Sequence, residues 1–135
     1  LTALDIELGN GNIDIGDTRC DNLKAQTING NITVNNHTGY FVNLETVNGN
    51  ITLDADIESP DIKCVTVNGQ VEITLPQTAQ FAFKCSTTTG KLTVDSEFSP
   101  SYASSTQWKI DGAVGNVRNE VSGRSTTGNV SIWAK

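Results

Sequence analysis

Asp54, Asp56, Glu58 and Asp61 fall within the stretch DADIESPD, the densest run of carboxylates in the chain. Oxygen ligands at alternating positions suit Ca²⁺, so these four are the candidate metal ligands. The stretch lacks the glycine turn and the terminal bidentate Glu of an EF-hand loop, and the expectation is a solvated loop with no cofactor. Carboxylate pairs for sugar cleavage must flank a groove at a defined separation. Asp14 and Glu72 recur at one repeat position but three repeats apart, roughly 14 Å if repeats stack at the strand spacing, which is too far. His37 is the only histidine, and no nucleophile or acid recurs beside it to build a triad. Cys20, Cys64 and Cys85 show no zinc-ligand spacing. No catalytic set is nominated, and the expectation is a protein that is not an enzyme.

Two further residue classes point to binding or modification. Asn31, Asn36, Asn50 and Asn129 each open an Asn-x-Ser/Thr sequon, which a secreting eukaryote could glycosylate. Three of them share one repeat position, so the strand pattern alone could generate them. Among the aromatics, Phe83 falls in an inward column, whereas Tyr102 and Trp108 sit in an irregular segment where loops carry function. These two are the candidate ligand face, within the loop 96–111.

The elements that must position these residues follow from Gly11, Gly30, Gly49, Gly69, Gly90 and Gly128, whose successive separations, by subtraction, are 19, 19, 20, 21 and 38. Two and four residues after each glycine stands an aliphatic residue, such as Ile32 and Val34 or Ile51 and Leu53, with a polar one between. Seven and five residues before it stand pairs such as Leu23 and Ala25 or Val42 and Leu44. This period of 2 predicts two half-buried strands per repeat. The last interval covers about two repeats, and residues 96–120 are expected to hold an irregular coil or insertion.

Asn-Gly between alternating segments is also a hairpin signal, so an antiparallel β-meander is the alternative. In a meander, identical positions of successive repeats never meet. In a β-solenoid they stack about 4.8 Å apart, and columns such as Thr27, Thr46, Thr66 become ladders. Ile28, Val47 and Val67, next to that inward column, fit a corner whose consecutive residues lean inward. The prediction is an all-β solenoid of six to seven coils, 19–21 residues each, forming one domain over 1–135. Cys64 and Cys85 then occupy one column of adjacent coils, about 5 Å apart, which leaves two readings: a disulfide or stacked buried thiols. The terminal coils, represented by Leu4, Ile6, Ile132 and Trp133, carry no capping helix. Either the chain is cut from a longer protein with neighbouring domains, or these residues pair head-to-tail with other copies into a homopolymer.

The passages VNGNITL, VNGQVEI, TTGNVSI and GQVEITLPQTAQFAFKCSTTTGKLTV resemble the adhesin family of β-strand-repeat proteins found among bacterial surface and secreted proteins. The resemblance runs from about residue 5 to 134, and the segment 96–120 departs from it. It implies a single-stranded β-helix with no assigned reaction.

Composition narrows the function. With 15 acidic and 9 basic residues, the net charge of −6 repels nucleic acid. No apolar run is long enough to enter a bilayer as a helix, and the N-terminus lacks the basic and apolar regions of a signal peptide, so the expectation is a chain that is either cytosolic or already relieved of its signal. The expected function is a non-enzymatic extracellular or cell-surface structural and adhesive element, its signal peptide already removed, that self-associates through its terminal coils. The alternative is a module that binds surface glycans through 96–111.

Overall fold

The computed structural model describes residues 3–16, 19, 21–38, 41–56, 61–77, 79–95, 101–105, 108–114 and 120–134; for 36, 37, 101–105 and 114 only the backbone is described. Every regular element among them is a strand. Coil 1 consists of β1 (Ala3–Glu7) and β2 (Ile13–Gly16), and coil 2 of β3 (Asn22–Gln26) and β4 (Ile32–His37). Coil 3 has β5 (Phe41–Glu45) and β6 (Ile51–Ala55), coil 4 has β7 (Asp61–Val65) and β8 (Val71–Leu75), and coil 5 has β9 (Phe81–Ser86) and β10 (Leu92–Val94). A hairpin follows, β11 (Ser101–Ser105) and β12 (Lys109–Val114), and coil 6 is β13 (Glu120–Arg124) with β14 (Val130–Ala134).

The first strand of each coil joins one sheet and the second strand joins another. Within each sheet the coils pair in parallel and in register, so Leu23 lies beside Leu4 and Val42, and Ile51 beside Ile32 and Val71. Period-2 alternation does the rest: Leu23, Ala25, Ile32, Val34, Leu44, Ile51 and Leu53 point between the sheets and are buried, while Lys24, Asn43 and Thr52 between them do not. The meander alternative therefore does not describe these strands. Antiparallel pairing occurs at β11, β12 and β9.

Coil order departs from chain order. β13 pairs with β7 on one side and β9 on the other, and β14 lies between β8 and β10. The last coil is therefore inserted between coils 4 and 5, and the spatial order is 1, 2, 3, 4, 6, 5. At the coil 5 end the first sheet continues through β12 to β11, two strands past β10, the outermost strand of the second sheet. Ile110 on β12 is buried over the core there. The irregular segment 96–120 thus supplies this hairpin, with 96–100, 106–107 and 115–119 outside the described residues.

This insertion corrects two expectations. Cys64 and Cys85 are not in adjacent coils, because Gly123 stands between them and pairs with both. They lie two strand spacings apart, roughly 9.6 Å, beyond the reach of a disulfide; both are free buried thiols. Ile132 and Trp133 are not at an end of the stack either; Ile132 is fully buried between Ile73 and Val94.

Burial raises both thiol pKa values. For Cys64 the cause is desolvation, with Cys85 adding to it. Cys85 is pushed up to about 12 by desolvation, against a lowering hydrogen bond from the Gly123 backbone and with Asp111 adding to the rise. A folded pKa above the unfolded one means that the stabilisation is whole below about pH 9 and is lost as the pH climbs towards 12. Both thiols act in this direction. Melting temperature should therefore fall from pH 9 to 11, more gently in Cys64→Ala, and neither thiol should react with a maleimide at pH 7.5 until the protein unfolds.

Candidate interaction surface

The corner where each coil passes from the first sheet to the second is built by four adjacent columns. The first is a buried hydroxyl. Thr27, Thr46, Thr66, Ser125 and Thr87 each donate through Oγ to the glycine carbonyl of the neighbouring coil, Gly11, Gly30, Gly49, Gly69 and Gly128, at 3.1, 3.0, 2.9, 2.7 and 2.8 Å. The glycines lie backbone on backbone: a Cβ on Gly30, Gly49, Gly69, Gly128 or Gly90 would overlap the glycine carbonyl of the adjoining coil.

Outside this seam runs an amide ladder. Asn29 Nδ2 donates to Asn10 Oδ1, Asn48 to Asn29 and Asn68 to Asn48 at 2.8, 2.8 and 2.7 Å, and Thr127 Oγ1 extends the line to Asn68 Oδ1 at 2.9 Å. One position past the glycines, Asn12, Asn31, Asn50 and Asn129 accept the backbone N–H of Asn31, Asn50, Gln70 and Lys91. Each amide that satisfies a neighbour this way is held in one rotamer while its outer face stays in water.

Beside the amides stand Ile28, Val47 and Val67, at 52%, 40% and 39% exposure. They point outward, contrary to the inward lean expected of this corner. Thr27, Thr46 and Thr66 take the last inward positions, and the close glycine seam leaves no interior volume for the next residue. Thr126 and Thr88 continue this column across coils 6 and 5. Of the four ridge positions running from this column to the residue after the glycine, in all six coils, one residue is charged, Lys91. The whole chain carries 24 charged residues, 9 basic plus 15 acidic. The result is a ridge, neutral apart from Lys91 at its coil 5 end, five strand spacings or roughly 24 Å long, that displays methyl groups and fixed amides.

The other candidate residues are dispersed. Asp54 and Asp61 are half-buried on β6 and β7, Asp56 is exposed, and Glu58 lies outside the described residues. Among the described residues, no three His, Cys, Asp or Glu side chains gather where they could hold a metal. Asn31 and Asn50 are exposed and Asn129 half-buried, all three in the ladder; the side chain of Asn36, on β4, is outside the described residues. Trp108 is 52% exposed beside a shallow hollow of about 390 Å³ shared with Thr87 and Thr88; the Tyr102 side chain is outside the described set. Leu4 and Ile6 lie half-buried on β1, an edge strand paired on one side by β3.

A second hollow, about 460 Å³, opens on the first sheet around exposed Phe41, between Asn22, Lys24, Asn43 and Lys63. Sequence reasoning leaves Phe41 unassigned, because its column holds Ala3, Asn22 and Asp61 elsewhere and shows no pattern.

The Toastrack DUF4097 family model matches residues 1–133. No curated protein and no solved structure matches the chain.

Proposed function

We propose that this chain, which belongs to the Toastrack DUF4097 family, is a non-enzymatic structural and adhesive β-solenoid whose adhesive face is the neutral corner ridge. The observation that carries the reading is the run of exposed Ile28, Val47 and Val67 beside the Asn10–Asn29–Asn48–Asn68 ladder. Its target is a neutral surface glycan. Sugar hydroxyls match the outward N–H and lone pairs of the fixed amides, and apolar ring faces match the methyl column. Because the ladder already holds these groups, little side-chain entropy is lost on contact. The ridge is too narrow for a tight single contact, so adhesion comes from many copies acting together. The winding is that of a single-stranded β-helix with its last coil inserted one place early. An extracellular or cell-surface setting belongs to the proposal.

The test is co-sedimentation with insoluble neutral polysaccharides. Val47→Lys with Val67→Lys, both on exposed positions, should cut the bound fraction at least tenfold while the circular dichroism spectrum is unchanged; undiminished binding would contradict the proposal.

End-to-end self-association through coil 1 is a second reading, favoured by one observation. Leu4 and Ile6 are half-exposed where their partners Leu23 and Ala25 are fully buried. The two ends of the stack do not match as stacking faces, because coil 1 is flush and the other end is stepped by two strands. A head-to-tail junction therefore pairs in the first sheet and leaves the second two strands short. Leu4→Asp should abolish any concentration-dependent sedimentation; association unchanged by it would mean that coil 1 is not the junction.

A further inference from the structure

Among the described residues, coil 5 has no strand pairing with coil 4. Its parallel neighbours are β13 and β14, and these fill a space one coil wide between β7 and β9 and between β8 and β10. The filling is generic. Val121 sits between Ile62 and Phe83, Ser122 between Lys63 and Lys84, Gly123 between Cys64 and Cys85, and Ser125 and Thr127 bond to Gly69 and Asn68. Each contact is a ladder contact of the repeat, and a coil 6 from any copy of the chain makes the same set. Only the connection through residues 115–119 distinguishes a coil contributed by the same chain from one contributed by another.

We propose that this slot is an exchangeable interface whose second occupant is coil 6 of another copy, so that two chains can trade residues 120–134. Exchange keeps every hydrogen bond and every buried side chain, which is the condition under which swapping is a low-cost route to a dimer. The five connecting residues reach at most roughly 20 Å, so the two stacks in such a dimer lie alongside each other. Opening the slot removes all of the parallel pairing of coil 5, so exchange proceeds through unfolding of that end and is trapped once the protein has folded.

The register supplies the reporter. Lys63 and Ser122 are paired across β7 and β13, and both are at least partly accessible. One copy carries Lys63→Cys and a second carries Ser122→Cys, each with Cys20→Ser; the buried Cys64 and Cys85 are left in place. The two are unfolded, mixed, refolded at increasing concentration and treated with a short bis-maleimide. A single chain with both substitutions serves as the control for bridging. Competition between an internal effective concentration on the order of 1 mM and ~0.1 mM protein predicts exchange in about one-tenth of the chains; in an equal mixture half of the exchanged pairs join the two variants, so the bridged interchain product is about one-twentieth of the total and rises in proportion to concentration. Copies mixed after folding should give none. Absence of interchain product at every refolding concentration, with the control bridged, would overturn the proposal. So would a dimer that forms without bridging these two positions, since its interface would lie elsewhere.

Discussion

Ending the chain after Asn119 strips hydrogen-exchange protection from β9, β10 and β12 and leaves coils 1–3 protected. No single substitution is expected to do as much. Among the described residues, β10 is paired by β14 alone, and β9 keeps only the antiparallel β12 once β13 is gone. Phe81 and Phe83, fully buried and in edge-to-face contact at 6.4 Å, lose the strand beside them, on which Val121 is paired with Phe83. Coils 1–4 keep their own ladders, with β7 and β8 becoming edge strands. Protection factors in 81–94 and 109–114 should fall at least a hundredfold, equivalent to ~2.7 kcal/mol of local stability. If coil 5 instead closed directly onto coil 4, those amides would stay protected, and the insertion would not be the element that holds this end.

Gly49→Ala is the second large effect, and it acts through backbone rather than side chains. The added methyl would overlap the Gly30 carbonyl and meet Asn31 Oδ1 at 3.1 Å. Neither the glycine seam nor the hydroxyl bond from Thr46 to that same carbonyl can move alone, because coils 2 and 3 are each hydrogen-bonded on both sides. Spreading coils 2 and 3 at the corner also strains the hydrogen bond that Asn48 Nδ2 donates to Asn29 Oδ1. Overpacking of this kind costs about 3 kcal/mol or more, so the melting temperature should drop by roughly 10 °C. Gly16→Ala is the control, since no atom lies within 4 Å of its added Cβ, and it should shift stability by less than about 0.5 kcal/mol. Equal melting temperatures for the two variants would mean that the coils are not in backbone contact at the corner.

The same seam explains why so much of the fold is legible in the sequence. Parallel in-register stacking places every residue against its own equivalent, so a column that suits one coil suits the next, and the glycines, the threonines and the aliphatic pairs repeat as residues and not only as polarity. The order of the coils is not legible, for the same reason. Val121 fits beside Ile62 and beside Phe83 equally well, and a chain whose contacts are generic does not write which coil touches which. One residue does hold the information. Gly123 occupies a column that holds Ile6, Ala25, Leu44, Cys64 and Cys85 elsewhere, and a Cβ there would meet Val130 Cγ1 at 2.6 Å; the one residue of the column without a side chain marks a tight neighbour without naming it. The ridge is half legible. The asparagine column is evident, but the apolar character of Ile28, Val47 and Val67 argues for an inward position, because apolar residues at a fixed spacing are usually buried. Their exposure follows from the space between coils, which the sequence does not state.

Glycan binding by the ridge is tested most directly by following the side-chain amide resonances of Asn10, Asn29, Asn48 and Asn68 and the methyl resonances of Ile28, Val47 and Val67 while a soluble neutral oligosaccharide is added. Shifts confined to these seven residues and their ladder neighbours are the predicted result. Shifts centred on Trp108 or Phe41, or none at millimolar sugar, would contradict it.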